Sequence, residues 1–169
     1  METTVKLYSL SYKDVKTYMF ALLFIAGNIL LPQLCHLVPG GGLTWLPIYF
    51  FTLIAAYKYG IRVGLLTAIL SPLVNNILFG MPPVSALPIL LVKSSLLAVS
   101  ASYIAHKIGK VTILGTLLAV LSYQVVGVGV EWMMENSFFV AVQDFRIGIP
   151  GMLVQIVGGF LLLKAIAKV

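Results

Sequence analysis

The sequence predicts an all-α membrane protein, a compact bundle of six transmembrane helices with both termini in the cytoplasm. Three observations support this: an apolar composition, six apolar runs, and basic residues of which nine in eleven fall on one predicted side of the membrane. Of 169 residues, 60% are hydrophobic and 9% are charged, and the mean hydropathy is +1.06. A soluble domain of this length does not bury so much apolar surface. The length suits one membrane domain over residues 1–169 and leaves no room for a separate soluble catalytic domain.

The apolar runs are divided by charged residues, glycines and prolines. Residues 1–16 form the expected cytoplasmic N-terminal segment, in which we expect no cleaved signal peptide. The predicted spans are 17–38, 43–57, 61–79, 87–105, 111–130 and 149–167. At about 1.5 Å per residue, roughly 20 residues cross a hydrocarbon core of about 30 Å. The second run is short and could be re-entrant, but the alternation of charge favours a crossing.

The basic residues predict the orientation. Nine of the eleven fall in the N-terminal segment, the 2–3 and 4–5 loops and the C-terminal end: Lys6, Lys13, Lys16, Lys58, Arg62, Lys107, Lys110, Lys164 and Lys168. Cytoplasmic loops carry an excess of Lys and Arg, so these ends are predicted to be cytoplasmic. The net charge of +6 is thereby explained without a nucleic-acid partner.

Lys93 is the basic residue that topology does not explain, because it lies inside the fourth predicted span. A charge within a span is costly and is usually functional. Its stem could let the ammonium reach the interface. Alternatively, it lines an outward-facing cavity and pairs with an anionic ligand or with Glu131, Glu135 or Asp144. The other polar groups at the same end favour the cavity.

Those groups are amides, a histidine and aromatic residues. The polar candidates are His36, Asn75, Asn76, Gln124 and Gln155, and the aromatic candidates are Trp45, Tyr123 and Trp132. A single amide is best explained by a hydrogen bond between helices. Asn75 and Asn76 point about 100° apart on a helix, so they cannot readily share one partner helix. The aromatic residues suit either an interfacial belt or the wall of a pocket.

Enzymatic chemistry is not expected. Cys35 is the only cysteine, and the sequence has no H-E-x-x-H motif, no G-x-S-x-G motif and no phosphate-binding glycine loop. We therefore expect no metal, no cofactor and no ATP hydrolysis by this chain itself.

Three stretches carry a resemblance to a known family. They are Gln33–Gly42 followed by Leu46-Pro47, Ser71-Pro72-Leu73 followed by Gly80-Met81-Pro82-Pro83, and Gly148–Gly151 followed by Gln155 and Lys164. The chain resembles the substrate-binding S component of energy-coupling factor (ECF) vitamin transporters over nearly its whole length.

The resemblance implies a bacterial or archaeal inner-membrane protein that captures a small water-soluble vitamin or related micronutrient from outside. Partner subunits, a transmembrane coupling protein and two ATPases, would drive uptake as in other ABC importers. Loops with Gly40, Gly41 and Gly42 and with Gly80, Met81, Pro82 and Pro83 would close over the site. Docking would use small residues of the first span, here Ala21, Ala26 and Gly27, whose spacing departs from the family's Ala-x-x-x-Ala.

One candidate ligand contact, Lys93, departs from the family's pattern. Lys93 stands where similar sequences often have an acidic residue, which favours an anionic ligand such as pantothenate, or a lysine neutralised by Glu131 or Asp144. The expected ligand-binding set is Lys93, Asn75, Asn76, Gln124, Gln155, His36, Trp45, Tyr123, Trp132 and Glu131. The alternatives are a stand-alone transporter, an S component for a larger cofactor such as cobalamin, and a small membrane enzyme.

Overall fold

Helices make up most of the chain. A computed structural model describes residues 7–166, so Lys6, Lys168 and the last residue of the sixth predicted span lie outside the described part. The α-helices are α1 (Val15–Cys35), α2 (Gly41–Trp45), α3 (Phe50–Tyr59), α4 (Ile61–Phe79), α5 (Leu87–Ile108), α6 (Ile113–Glu135), α7 (Phe138–Ala141), α8 (Gln143–Arg146), α9 (Ile149–Leu153) and α10 (Gly159–Ala165). Short 3₁₀ helices cover Pro47–Tyr49 and Val84–Ala86, and a π-helical turn covers Val154–Gly158. Residues 7–166 contain no β-strand.

Four of these helices are long and apolar enough to cross a membrane: α1, α4, α5 with the 3₁₀ turn before it, and α6. They correspond to the first, third, fourth and fifth predicted spans. Length and composition thus confirm the expected class, a helical membrane protein.

The second predicted span is broken. It consists of α2, a 3₁₀ turn and α3, with Leu46 in the left-handed region (φ 46°) between α2 and the turn. The helical run begins at Gly41 and ends at Tyr59, whereas the expected span was 43–57. Helix α3 packs against α1, α4 and α5, and Leu53, Ile54 and Ala55 have no exposed surface. Because most of α3 is buried against other helices, most of its residues are apolar, which is why its sequence resembles a membrane span.

The last apolar run is also irregular. It starts as α9, passes through the π turn at Val154–Gly158 and continues as α10 to Ala165. Gly151 of α9 lies against the backbone of the loop before the 3₁₀ turn. A Cβ on Gly151 would come 2.9 Å from the Leu46 nitrogen, closer than side chains are found. This glycine lets the last helical run approach the broken second run directly.

Contacts between distant basic segments bring them to one end of the bundle. The Lys58 ammonium donates to the carbonyl of Ile166, and the Arg62 guanidinium donates to the carbonyl of Leu10 at 3.1 Å. The Tyr57 hydroxyl donates to the carbonyl of Lys110 at 3.1 Å. The segments that the charge pattern assigned to one side of the membrane are therefore neighbours in the fold.

The expected docking residues of α1 differ in exposure. Ala21 is buried in the bundle. Gly27 faces the Phe51 ring, where an added Cβ would lie 2.8 Å from the ring carbons. Ala26 is exposed. Ala26 is thus the most exposed of the three, and Gly27 is half-buried.

Candidate ligand-binding cavity

A cavity of about 420 Å³ opens at the end of the bundle opposite the basic contacts. Its walls come from the end of α1, the Gly40–Tyr49 segment, Asn75 of α4, the Met81–Ala86 segment, the start of α5, the end of α6, and α8. Apolar side chains such as Leu46, Ile89 and Leu90 supply much of the lining, and charged groups stand at one side. A mostly apolar cavity of this size with a few polar groups is typical of a small-molecule site.

The two loops expected to cover a ligand both contribute to this cavity. Gly40, Gly42, Met81, Pro82 and Pro83 line it. The other two expected loop residues do not. Gly41 is buried beside the Cys35 carbonyl, and Gly80 ends α4 with a φ of 67°. A positive φ at a helix end favours glycine because a Cβ is strained there.

Lys93 is buried and paired with two carboxylates. It keeps 3% of its surface exposed, its ammonium contacts the Glu131 carboxylate, and it lies 2.9 Å from Oδ2 of Asp144. Gly127 of α6 makes room for its stem, since a Cβ there would lie 3.0 Å from Lys93 Cγ. Of the alternatives open for Lys93, neutralisation by Glu131 and Asp144 is the arrangement found.

Three separate elements bring this cluster together. Lys93 lies on α5, Glu131 on α6 and Asp144 on α8. Helix α6 continues to Glu135, past the expected end at residue 130, so Glu131 and Trp132 are helical rather than in a loop. Helices α7 and α8 then fold back. The Ser137 hydroxyl accepts from the Val140 amide at the start of α7, and Asp144 is buried facing Lys93.

Amides and a histidine line the α1–α4 side of the cavity. Gln33 Nε2 donates to Asn75 Oδ1 at 3.2 Å, and Asn75 Nδ2 donates to the carbonyl of Asn28 at 2.9 Å. His36 Nδ1 lies 2.6 Å from the Pro32 carbonyl. That carbonyl only accepts, so the hydrogen is on Nδ1. Gln33 and Asn75 are thus held by each other and by the backbone, and His36 by the backbone alone. All three line the cavity.

Asn76 does not reach the cavity lining. Its Nδ2 donates to the carbonyl of Pro82 at 2.7 Å, so it ties the Met81–Pro83 loop to α4. The two adjacent asparagines thus use different partners, as their angular separation on the helix requires.

Five further candidates lie behind or outside the cavity wall. The Tyr123 hydroxyl donates to Gln155 Oε1 at 3.0 Å, and Gln155 Nε2 donates to the carbonyl of Leu46 at 3.4 Å. Gln124 is fully buried, and its side-chain amide has no hydrogen-bond partner among residues 7–166. Trp45 and Trp132 are exposed. Tyr123 and Gln155 therefore support the wall, while the tryptophans lie on the outer surface.

Sequence reasoning did not single out three residues that matter here. Asn28 is fully buried. Its side chain bonds Thr52 at 3.0 Å, Ser71 at 3.3 Å and the Phe51 amide at 3.1 Å. Gln33 and Gln143 line the cavity. An asparagine inside the first apolar run was a visible signal, whereas Gln143 lay in a segment read as a loop.

Within residues 7–166 no group of three His, Cys, Asp or Glu side chains is placed to hold a metal ion. No protein-family model, curated protein or solved structure matches this chain.

Proposed function

We propose that this chain is the membrane-embedded substrate-binding subunit of an ECF-type importer, which captures a small water-soluble vitamin or related micronutrient. The observation that carries the proposal is the 420 Å³ cavity, lined by Gly40, Gly42 and the Met81–Pro83 segment and containing a buried cluster of charges. A chain built around such a cavity, without a nucleotide-binding motif, is suited to binding rather than to chemistry.

In this proposal the chain crosses the membrane six times. The basic end is cytoplasmic, as the positive-inside rule favours, and the cavity faces outside. The broken second run and the π-containing last run provide the two shorter crossings. A transmembrane coupling protein docks on the first three crossings and works with two ATPases. The clustering of Lys58, Arg62 and Lys110 at one end supports this orientation.

Native mass spectrometry tests ligand capture. Protein purified from its own host in mild detergent is expected to carry a bound small molecule that is released on unfolding. Uptake of the released compound into cells is then measured with and without the coupling protein and ATPases. Uptake that needs an intact ATPase supports the proposal, and a protein that carries no compound and restores no uptake contradicts it.

One observation favours a second candidate, a stand-alone transporter. Glu131 lies within the long apolar helix α6 and pairs with a buried lysine, and intramembrane carboxylates serve as proton relays in transporters. Uptake that persists without the ATPases and stops when an uncoupler collapses the proton gradient would support this candidate instead.

A further inference from the structure

The charges that line the cavity do not balance. Lys93 supplies one positive charge, and Glu131 and Asp144 supply two negative charges. His36 and Tyr49 are the other titratable groups in the lining, and with both uncharged the lining carries a net charge of about −1. Arg146 does not compensate, because its guanidinium lies 3.7 Å from the centroid of the Phe139 ring and it is not part of the lining.

The side chains of Glu131 and Asp144 are also more accessible than that of Lys93, although Oε2 of Glu131 is itself buried. The side chains of Glu131 and Asp144 keep 13% and 12% of their surface exposed, and that of Lys93 keeps 4%. Asp144 Oδ2 accepts from Lys93 at 2.9 Å, which leaves the second oxygen of this carboxylate for another donor. A carboxylate can accept several hydrogen bonds.

An anionic ligand fits this arrangement poorly. To reach the Lys93 ammonium, it must come beside two carboxylates already in contact with that ammonium. Like charges repel strongly where water is excluded, and the loss of a buried pair leaves a charge uncompensated. A cationic ligand would instead be attracted, because its charge and that of Lys93 together balance the charges of Glu131 and Asp144.

We infer that the cavity binds a small organic cation whose protonated amine, amidinium or positively charged ring nitrogen contacts Glu131 and Asp144, while Lys93 holds these two carboxylates side by side. The inference rests on the proposed function and names the class of its ligand. The apolar walls around Leu46, Ile89 and Leu90 then contact the uncharged part of the same molecule.

A thermal-unfolding panel tests the sign of the charge. The purified protein is heated with water-soluble micronutrients sorted by charge at pH 7: thiamine and choline as cations, pyridoxine and riboflavin as uncharged compounds, pantothenate and nicotinate as anions. A cation is expected to give the largest shift, about 5 °C or more at roughly 100 times its Kd. A larger shift with an anion or an uncharged compound overturns the inference and leaves the proposed function standing. A panel with no shift at all overturns both.

Neutralising one carboxylate tests the contact itself. Glu131→Gln keeps the shape of the side chain and one acceptor oxygen but removes the negative charge, and we expect it to weaken binding of the cation at least 10-fold by titration calorimetry. Asp144→Asn is the second variant, in case the first does not fold. Glu135→Gln is the matched control, because Glu135 is an exposed carboxylate one turn further along α6. Equal affinity of the wild type, Glu131→Gln and Asp144→Asn overturns the inference.

Discussion

Lys93 shows at the scale of single residues how a buried charge is tolerated in an apolar helix. Its ammonium contacts two carboxylates from different helices, and Gly127 leaves space for its stem. Removing one member of a buried ion cluster leaves the remaining charges unpaired, which costs more than the pair itself contributes.

Lys93→Met is therefore expected to lower the free energy of unfolding by about 3–5 kcal/mol, because Glu131 and Asp144 then face each other without a cation. Denaturant unfolding in detergent measures this loss. Lys107→Met is the control, since Lys107 is an exposed lysine on the same helix. A similar stability of the two variants would contradict the structural role of the cluster.

Asn28 is the polar centre of the α1–α3–α4 contact. Asn28→Ala removes three side-chain hydrogen bonds and leaves the Phe51 amide without its acceptor. We expect a loss of about 1–3 kcal/mol, the usual cost of a buried unsatisfied group, read as a lower melting temperature. Asn76→Ala serves for comparison because it removes one hydrogen bond at a half-buried position. If the Asn28 variant melts no lower than the Asn76 variant, Asn28 is not the main polar contact between α1, α3 and α4.

Residue identities in the site were easier to predict than their roles. Lys93, His36 and Asn75 were expected from polarity within apolar runs, and Glu131 was expected as a loop carboxylate near Lys93. All four line one cavity. Gln155 was expected for the same reason, but it bonds a backbone carbonyl behind the wall. Polarity in a span marks a side chain that needs a partner, and the sequence does not say whether a ligand or the backbone provides it.

At the scale of elements, helix α6 shows the limit of a hydropathy pattern. A glutamate at the edge of an apolar run reads as the end of a helix, yet α6 continues to Glu135. Glu131 can remain helical and buried because Lys93, on another helix, pairs with it.

The regular spans were visible in the sequence. The break at Leu46 and the π turn depend on contacts between the second and last runs, so periodicity did not show them.

Two glycines of α6 allow a matched test of how closely α5 and α6 pack. An added Cβ at Gly129 meets nothing within 4 Å, whereas at Gly127 it meets three carbons of the Lys93 stem at 3.0–3.5 Å. Gly129→Ala is expected to leave stability unchanged or raise it by up to about 1 kcal/mol through helix propensity.

Gly127→Ala is not expected to show this increase in stability. The Lys93 ammonium is held by Glu131 and Asp144, so the Lys93 side chain cannot move away from the added methyl group. The melting temperature of Gly127→Ala should lie below that of Gly129→Ala. The reverse order would show that the Lys93 stem is free to shift.

The arrangement of the whole molecule places the charge cluster and the basic contacts at opposite ends, which gives the orientation a direct test. In a Cys35→Ser background, Glu135→Cys should react with a membrane-impermeant maleimide added to intact cells. Lys107→Cys should react only after the membrane is permeabilised. Both side chains are exposed, so a difference in labelling reports the side of the membrane. Labelling of Lys107→Cys in intact cells would overturn the proposed orientation.

The two segments over the cavity are fastened unequally. The segment containing Leu46 is held by the buried Gln155 and by the close backbone approach at Gly151. The segment from Met81 to Ala86 is tied to α4 by the hydrogen bond from Asn76 to Pro82. Within it, Pro83, Val84 and Ser85 are exposed. Local opening is easiest where few buried contacts must break. The residence time of a bound compound should therefore depend on the Met81–Ala86 segment. The more firmly held Leu46 segment should determine which compounds fit. Substitutions in the two segments can then change residence time and selectivity separately.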